Sequence, residues 1–223
     1  MREYSVFDIL GPVMVGPSSS HTAGASRLAL LARSVAGGTP QEVQILLHGS
    51  FAETYQGHGS DLALLGGLLG LGPDDVAIKD AYNLAQEAGL KYTFTPINLG
   101  ESYHPNTVKF IIKTANNEKI TVTGASIGGG NVLITEINDF SVELKGDLPT
   151  LISNHYDVPG VIAQVSLILA QHEINIAFMR VFRKEKRKIA TMVLETDELV
   201  PQSVLDEILQ VEQVVDVRFV EPI

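Results

Sequence analysis

Residues 150–160 read TLISNHYDVPG, a short strand pattern that passes directly into the start of a helix. Asp157 is predicted to cap this helix, because a carboxylate can accept the unpaired N–H groups of a first turn. Pro159 suits that turn because it lacks an N–H group. Apolar residues then recur at helical spacing and predict one buried face: Val158, Ile162, Val165 and Leu169.

The remaining C-terminal sequence predicts three more strands and a second helix. The segment 174–183 is predicted to be a strand that returns, after a charged turn, as a second strand at 189–196. One face of the first of these strands is expected to carry Ile174, Ile176 and Phe178. Pro201 is expected to open the second helix, and alternating apolar residues predict a last strand: Val215, Val217 and Phe219. The order βαββαβ predicts a ferredoxin-like antiparallel sheet with both helices on one face.

Glycine usage indicates a domain boundary upstream of this unit. Nineteen of the 20 glycines lie before residue 149, so the two parts of the chain differ in loop chemistry. We expect one domain at 1–148 and a second at 149–223. In the first, a helical stripe at 28–35 precedes several segments of period-two alternation from residue 91 onward. This pattern favours an α+β domain with helices first and a mostly antiparallel sheet later.

Composition limits the possible function classes. The 223 residues include 16 basic and 26 acidic side chains, a net charge of −10, which disfavours a dedicated nucleic-acid binder. The basic segment 180–188 is instead expected to be a solvated hairpin tip. The chain has no cysteine, so it forms no disulfide and supplies no thiolate ligand. No apolar run is long enough for a membrane helix, and we expect a soluble cytoplasmic protein.

The first unusual motif is GPSSSHTAG at residues 16–24, just before the first helical stripe. Four hydroxyl groups and one imidazole there meet a helix start, where free N–H groups and the helix dipole favour a carboxylate. The alternative is that Ser20 or Thr22 is an ordinary N-cap and the rest is loop.

Two further motifs are candidates for a site. In GHGSD at residues 57–61, an imidazole, His58, lies close in sequence to a carboxylate, Asp61, and histidine is the usual general base at neutral pH. The alternative is a surface histidine beside a capping residue; His48, at the end of an apolar strand, is read as a satisfied, half-buried histidine. The SIGGGN segment at 126–131 is expected to be a glycine-rich hairpin or a loop that a ligand or partner approaches closely.

The C-terminal segment 149–223 resembles an ACT domain, a small amino-acid-sensing module of metabolic enzymes. The resemblance rests on the element order and on the 157–160 turn. It implies effector binding at Asp157, Val158 and Gly160, and pairing of ACT domains with one another. A monovalent cation is a second candidate ligand, and a good helix start without any ligand is the alternative.

Taken in order, GPSSSHTAG, GHGSD and SIGGGN closely resemble the β chain of iron–sulfur-dependent L-serine dehydratase, in its two-chain form with a terminal ACT domain. The resemblance implies conversion of L-serine to pyruvate and ammonia by elimination of water. It also implies a 4Fe–4S cluster, whose thiolate ligands must come from a separate α chain because this chain has no cysteine. No metal ligand is expected in this chain, which is then inactive without the α chain.

The same resemblance implies roles for individual residues. The serine-rich motif is expected to bind the substrate carboxylate through Ser18, Ser19, Ser20 and Thr22. His58 is expected to be the base or a proton shuttle, with Asp61 as its orienter, and His21 is the second candidate base. The N-terminal domain is also similar to the allosteric substrate-binding domain of some phosphoglycerate dehydrogenases. A non-catalytic, amino-acid-sensing regulatory subunit is therefore the alternative function.

Overall fold

The computed structural model describes residues 12–138 and 140–223, which form two units. The first unit holds the residues up to Asn138 together with Glu143–Lys145, and the second is made chiefly of Gly146–Ile223. The chain therefore passes from one unit to the other beside Gly146, close to the boundary expected at 148/149. Within the described ranges, no helix is long and apolar enough to cross a membrane.

A six-stranded sheet forms one layer of the first unit. Its strands are β1 (Pro40–His48), β2 (Lys91–Ile97), β3 (Thr107–Thr114), β4 (Lys119–Gly128), β5 (Asn131–Ile137) and β6 (Phe140–Leu144). They are arranged in the order β2-β1-β3-β4-β5-β6. β1 and β2 run parallel, whereas β3 is antiparallel to β1, and β4 and β5 continue antiparallel. The parallel pair requires a long crossover, which the helices between β1 and β2 provide.

Helices cover this sheet. They are α1 (Gly24–Ala36), which is entered through a single π-helical turn at Ser19–Ala23, α2 (Ser50–Thr54), α3 (Ser60–Leu69) and α4 (Ala81–Glu87). A 3-10 turn at Val76–Asp80 leads into α4, so the sequence that reads as one helix over 77–88 forms two short helical segments. The tighter first segment is capped by the Asp75 carboxylate, which accepts the Ala77 N–H at 2.9 Å.

The core of the first unit lies between α1, α3 and the sheet. The predicted stripe on α1 is fully buried: Leu28, Leu31, Ala32 and Val35. Gly67 on α3 packs directly on α1, since a Cβ atom there would lie 2.2 Å from the carbonyl oxygen of Ser26. Gly67 therefore permits the close crossing of α1 and α3.

The second unit has the predicted βαββαβ order. Its elements are β7 (Thr150–Tyr156), α5 (Val161–Gln171), β8 (Ile176–Arg183), β9 (Ile189–Thr196), α6 (Gln202–Leu209) and β10 (Val214–Val220). The antiparallel sheet has the order β10-β7-β9-β8. Apolar residues of α5 and α6 share one core with one face of the sheet, including Val165, Ile208, Leu151 and Met192. The α+β class with a ferredoxin-like C-terminal domain is confirmed.

β8 differs from the sequence prediction at its start. The strand begins at Ile176 rather than at residue 174, and its register to β9 shifts between Ile176 and Phe178. Such a bulge inserts a residue and inverts the side-chain alternation beyond it. Ile174 is buried, whereas Phe178 is 61% exposed, so the expectation that Ile174, Ile176 and Phe178 share one face was wrong.

The start of α5 also differs from the prediction. Gly160, with φ at +100°, is the capping residue, and Pro159 precedes the helix. Asp157 does not cap the helix. Its carboxylate accepts the Arg183 guanidinium at 2.7 Å and the Arg187 backbone N–H at 3.0 Å, both from the hairpin between β8 and β9. The Arg183 guanidinium and the Arg187 N–H thus engage this carboxylate in place of the first N–H groups of the helix.

Candidate functional site

The serine-rich motif forms the π-helical turn that leads into α1. Ser18 caps this turn, and its Oγ accepts the His21 backbone N–H at 3.2 Å, so neither Ser20 nor Thr22 is the N-cap. The Thr22 hydroxyl donates to the Ser18 carbonyl oxygen, and the Ser18 N–H donates to Thr22 Oγ1 at 3.3 Å. Ser18 and Thr22 therefore hold the turn in shape through their own hydrogen bonds.

The other two serines of the motif face a different environment. Ser19 and Ser20 are half-buried in the first turn, where helix N–H groups lack intrahelical acceptors. In the part of the chain that the structure describes, no hydrogen bond uses the side chain of Ser19 or Ser20. These two hydroxyl groups are the ones that remain available to a ligand at the helix start.

His21 lies at the centre of the cluster. Its Nε2 is 3.1 Å from Ser50 Oγ, and its Nδ1 is 3.5 Å from Ser18 Oγ, so each ring nitrogen faces a hydroxyl group. The imidazole also packs edge-on against Phe51, with the ring centroids 5.2 Å apart. Burial, with a smaller effect of the neighbouring His58, lowers the pKa of His21 below its ordinary value of 6.5. His21 is therefore neutral at pH 7 and retains a lone pair for proton transfer.

His58 is brought next to His21. The two ring centroids are 4.8 Å apart, with an angle of 64° between the ring planes. The His58 backbone N–H donates to the Thr54 carbonyl oxygen at 3.1 Å, and its side chain is exposed. Two histidines that are both predicted site residues, 37 positions apart in sequence, thus form one pair, in which His21 is half-buried and His58 is exposed.

Asp61 does not contact His58. Its Oδ1 accepts the Leu62 N–H at 2.9 Å, and its Oδ2 accepts the Tyr82 hydroxyl at 2.5 Å. Burial and then the hydrogen bond to Asp61 raise the pKa of Tyr82 above its ordinary value. The expectation that Asp61 directly orients the His58 ring is therefore corrected. The carboxylate joins the start of α3 to α4, because Tyr82 supplies the hydroxyl donor that it needs when buried.

Two residues of the site were missed at the sequence level. Ser50 follows His48 and Gly49 at the end of β1, and the HGS sequence there gave the only local signal. Tyr82 is one end of a row of four rings along the edge strand β2. In this row Tyr55 and Phe94 centroids are 5.7 Å apart, Phe94 and Tyr92 are 5.9 Å apart, and Tyr92 and Tyr82 are 6.1 Å apart.

The SIGGGN segment is a hairpin turn that packs beside the helix start. Gly129 and Gly130, at φ of +61° and +82°, form the tight connection between β4 and β5. The fully buried Ser126 lies against Gly24, since a Cβ atom on Gly24 would be 2.0 Å from Ser126 Oγ. The segment therefore shapes the backbone behind the histidine pair, and no helix follows it.

The predicted effector turn of the second unit borders a cavity of about 420 Å³. Its lining includes the apolar side chains of Val158, Pro159 and Ile162 and the cationic side chains of Arg183, Lys186 and Arg187. The hydrogen bonds of Arg183 and Arg187 hold the pKa of the Asp157 carboxyl below its ordinary range. The structure brings Asp157, Val158 and Gly160 together at this cavity.

Comparison with known proteins gives the two domains a family context. Residues 5–98 match the family described as serine dehydratase beta chain, and residues 150–213 match the ACT domain family. The chain is 43% identical over 221 residues to "L-serine dehydratase, beta chain" of Peptoniphilus asaccharolyticus, covering 99% of this chain and 100% of that protein. It is also 43% identical to "Probable L-serine dehydratase, beta chain" of Bacillus subtilis, over 97% of this chain and 98% of the relative.

A more distant similarity involves a different enzyme. The chain is 31% identical over 160 residues to D-3-phosphoglycerate dehydrogenase of Bacillus subtilis, which covers 71% of this chain and 30% of that protein. The similarity to the two dehydratase beta chains, in contrast, extends over nearly the full length of this chain and of each relative. On that ground, this chain belongs to the serine dehydratase beta-chain family.

Proposed function

We propose that this chain is the β subunit of an L-serine ammonia-lyase and that it completes an active site shared with a separate α chain. The observation that carries the proposal is the pairing of His21 with His58 beside the hydroxyl-rich start of α1. The names of the two full-length relatives support the same activity. Conversion of L-serine to pyruvate and ammonia needs a base for the Cα proton and a binding site for the carboxylate.

The two histidines suit different parts of this chemistry. His58 is exposed and can reach a substrate, so it is assigned as the base that takes the Cα proton or as the shuttle that carries it away. His21 is neutral and lies beside it, which makes His21 the alternative base. Loss of the hydroxyl group as water then gives an enamine, which tautomerises to an imine and hydrolyses to pyruvate and ammonia.

The helix start suits the substrate carboxylate. The hydroxyl groups of Ser19 and Ser20 and the first N–H groups of the π turn can donate hydrogen bonds to a carboxylate. In this proposal Ser18 and Thr22 act by shaping the turn, because the Thr22 hydroxyl is engaged with the Ser18 backbone and the Ser18 hydroxyl with the His21 N–H.

The residues of this chain do not fit the 4Fe–4S cluster that the family resemblance implies. Cluster irons are held by cysteine thiolates, and the chain has no cysteine. The proposal therefore assigns the cluster and its ligands to the α chain, and L-serine to the shared site. Assembly of the two chains is then a condition for activity.

Anaerobic reconstitution tests this function. The purified chain is mixed with the α chain, and pyruvate formation from L-serine is compared with that of each chain alone. We expect activity only from the mixture, and a loss of at least about 100-fold for His58→Ala, the low end for removal of a general base. His172→Ala, which changes an exposed histidine of the second unit, is the control. Full activity of the α chain alone would contradict the proposal.

Regulatory sensing of an amino acid is a second function that the cavity beside Val158 favours. We expect calorimetric titration of the full chain with amino acids, L-serine first, to release heat that Val158→Trp abolishes by filling the cavity. Val158 is itself 41% exposed, so the larger side chain leaves the core unchanged. Titration with a potassium salt tests in the same way whether a monovalent cation binds at this cavity. Equal heats from the native chain and the variant would contradict binding at this cavity.

A further inference from the structure

The connection between β2 and β3 crosses the carboxyl end of β1. In the sheet β1 lies between these two strands, parallel to β2 and antiparallel to β3. Residues 98–106, which we call the strap, must therefore pass over the end of β1 to reach the next strand. Beneath the strap the chain leaves β1 through the turn Gly49–Ser50.

His48 and Glu136 fasten the strap. The Leu99 backbone N–H donates to His48 Nδ1 at 3.2 Å, at the point where the strap begins. Further along, the Tyr103 hydroxyl donates to Glu136 Oε1 on β5 at 2.7 Å, and the Tyr103 ring lies edge-on to His48 with centroids 6.3 Å apart. The strap is thus held by contacts with the last residue of β1 and with β5, which lies three strands from β1 in the sheet.

The fastened strap lies directly on the turn that holds Ser50. Gly49 has φ at +58°, and a Cβ atom there would be 2.6 Å from the Pro105 carbonyl oxygen. No other residue type fits this position, because both the dihedral angle and the contact exclude a side chain. The path of the chain from His48 to Ser50 is therefore set by the strap above it.

Ser50 in turn contacts the histidine pair. Its Oγ lies 3.1 Å from His21 Nε2, on the side of the ring away from Ser18. We propose that His48 is a positioning residue: by holding the strap on the Gly49–Ser50 turn, it keeps Ser50 on His21 and so fixes the His21 ring beside His58. The catalytic consequence rests on the proposed function, whereas the link from His48 to the His21 ring does not.

Nuclear magnetic resonance of the full chain tests the link without any activity. The ring ¹⁵N and ¹H resonances of His21, assigned by their loss in His21→Asn, are compared between the native chain and two variants. His48→Leu removes the acceptor for the Leu99 N–H, whereas His48→Asn places an amide oxygen near the position of Nδ1. We expect the His21 resonances to shift in His48→Leu and to return to native values in His48→Asn.

Activity of the reconstituted pair gives the second readout. We expect His48→Leu to lower kcat by about 10- to 100-fold, the usual cost of a misplaced catalytic group, with KM nearly unchanged. His48→Asn is expected to stay within about twofold of the native rate. If His48 served only to support the fold, His48→Asn would not restore both the native rate and the native His21 resonances.

The outcomes separate the two proposals. Native His21 resonances in His48→Leu overturn the positioning role, whether or not the complex is active. If His48→Leu does not fold, Tyr103→Phe decides the matter, because it releases the strap from Glu136 and leaves the sheet core intact. Unchanged His21 resonances in Tyr103→Phe then overturn the proposal. If the His21 resonances shift in His48→Leu but the native chain mixed with the α chain is inactive, only the proposed function is contradicted.

Discussion

Asp61 illustrates how a single buried carboxylate can serve a site without contacting the reactive groups. It is 7% exposed, and the hydroxyl of Tyr82 satisfies one of its oxygens. Because Asp61 lies in the first turn of α3, directly after the loop that ends at Gly59, this bond fixes the loop that carries His58. The residue is better described as an anchor of that loop than as a partner of the imidazole.

Tyr82→Phe is expected to lower the free energy of unfolding by about 1 kcal/mol, since it leaves a buried acceptor without its donor. The value lies at the lower end of the usual range because Tyr82 is 40% exposed and because the Leu62 N–H still donates to the other oxygen of the carboxylate. Urea denaturation measures the change, and Tyr92→Phe, in the same row of rings, is the matched control. Equal losses in both variants would show that the hydroxyl bond is not the cause.

His155 is a buried residue whose charge state couples to stability. It lies on β7, 2% exposed, and its Nδ1 has no hydrogen-bond partner within residues 12–138 and 140–223. Burial lowers the pKa of His155 below 6.5, against smaller opposing effects of the Ser153 backbone and Asp157. The folded state therefore binds fewer protons than the unfolded state. Its contribution to stability is complete above about pH 6.5 and is lost as the pH falls towards the lower, folded pKa.

His155→Leu is accordingly expected to weaken the acid sensitivity of the chain. Urea midpoints of the native chain should fall between about pH 7.5 and 5.5, and they should fall less in the variant, with His21 accounting for part of the remaining decrease. His172→Leu, at an exposed position, should retain the native decrease. A native-like decrease in His155→Leu would assign the pH dependence to other groups.

Two glycines of α3 differ in what surrounds them, although they are neighbours in sequence. A Cβ atom on Gly67 would meet the Ser26 carbonyl oxygen at 2.2 Å, and backbone of α1 cannot move aside without separating the helices. On Gly66 it would meet the Ile78 Cγ1 at 2.8 Å, a side chain that can change its rotamer. The crossing of α1 and α3 therefore depends on one glycine more than on the other.

Gly67→Ala is expected to destabilise the chain by about 1–3 kcal/mol or more, the range for overpacking a core. Gly66→Ala is expected to be nearly neutral, because alanine gains about 1 kcal/mol in helix propensity and offsets the local crowding. Thermal denaturation of the two variants beside the native chain gives the comparison. A larger loss for Gly66→Ala would contradict the packing account.

Sequence periodicity predicted the elements well where each element buries one face. The α1 stripe at 28–35, the strands from residue 91 onward and the βαββαβ order of the second unit follow directly from apolar spacing. Hairpin chemistry was also readable, since three consecutive glycines at 128–130 predict a turn. These features depend on residues that are near one another in the chain.

Features that depend on distant partners could not be predicted in this way. Asp157 looks like a helix cap locally, but its actual partner, Arg183, lies 26 residues away. Asp61 is 21 residues from Tyr82, and His21 is 29 residues from Ser50. No spacing rule connects such pairs, because they depend on how elements pack rather than on the period within one element.

At the scale of the whole molecule, the edge strand β8 of the second unit carries exposed apolar side chains. Phe178, Met179 and Val181 are all at least 38% exposed, and one side of the strand has no neighbour in the sheet. Exposed edges of this kind are templates for pairing with another strand. We therefore propose that two copies associate through β8, as the resemblance to paired ACT domains implies.

Val181→Lys is expected to weaken this association, since a charge at an edge strand opposes strand pairing. Analytical ultracentrifugation of the full chain should show a shift from dimer toward monomer. Leu199→Lys alters an equally apolar, 61% exposed position outside β8 and should leave the distribution unchanged. A monomeric native chain, or equal effects of the two substitutions, would contradict pairing through this strand.

The row of rings along β2 also gives the protein an optical property. The chain has six tyrosines and no tryptophan, so its near-ultraviolet emission comes from tyrosine. Three of the six, Tyr55, Tyr82 and Tyr92, belong to that row, and the first lies in the loop that carries His58. In the proposed complex, contact of the α chain with this row would quench or enhance the intrinsic fluorescence, so that assembly could be followed in real time without a label.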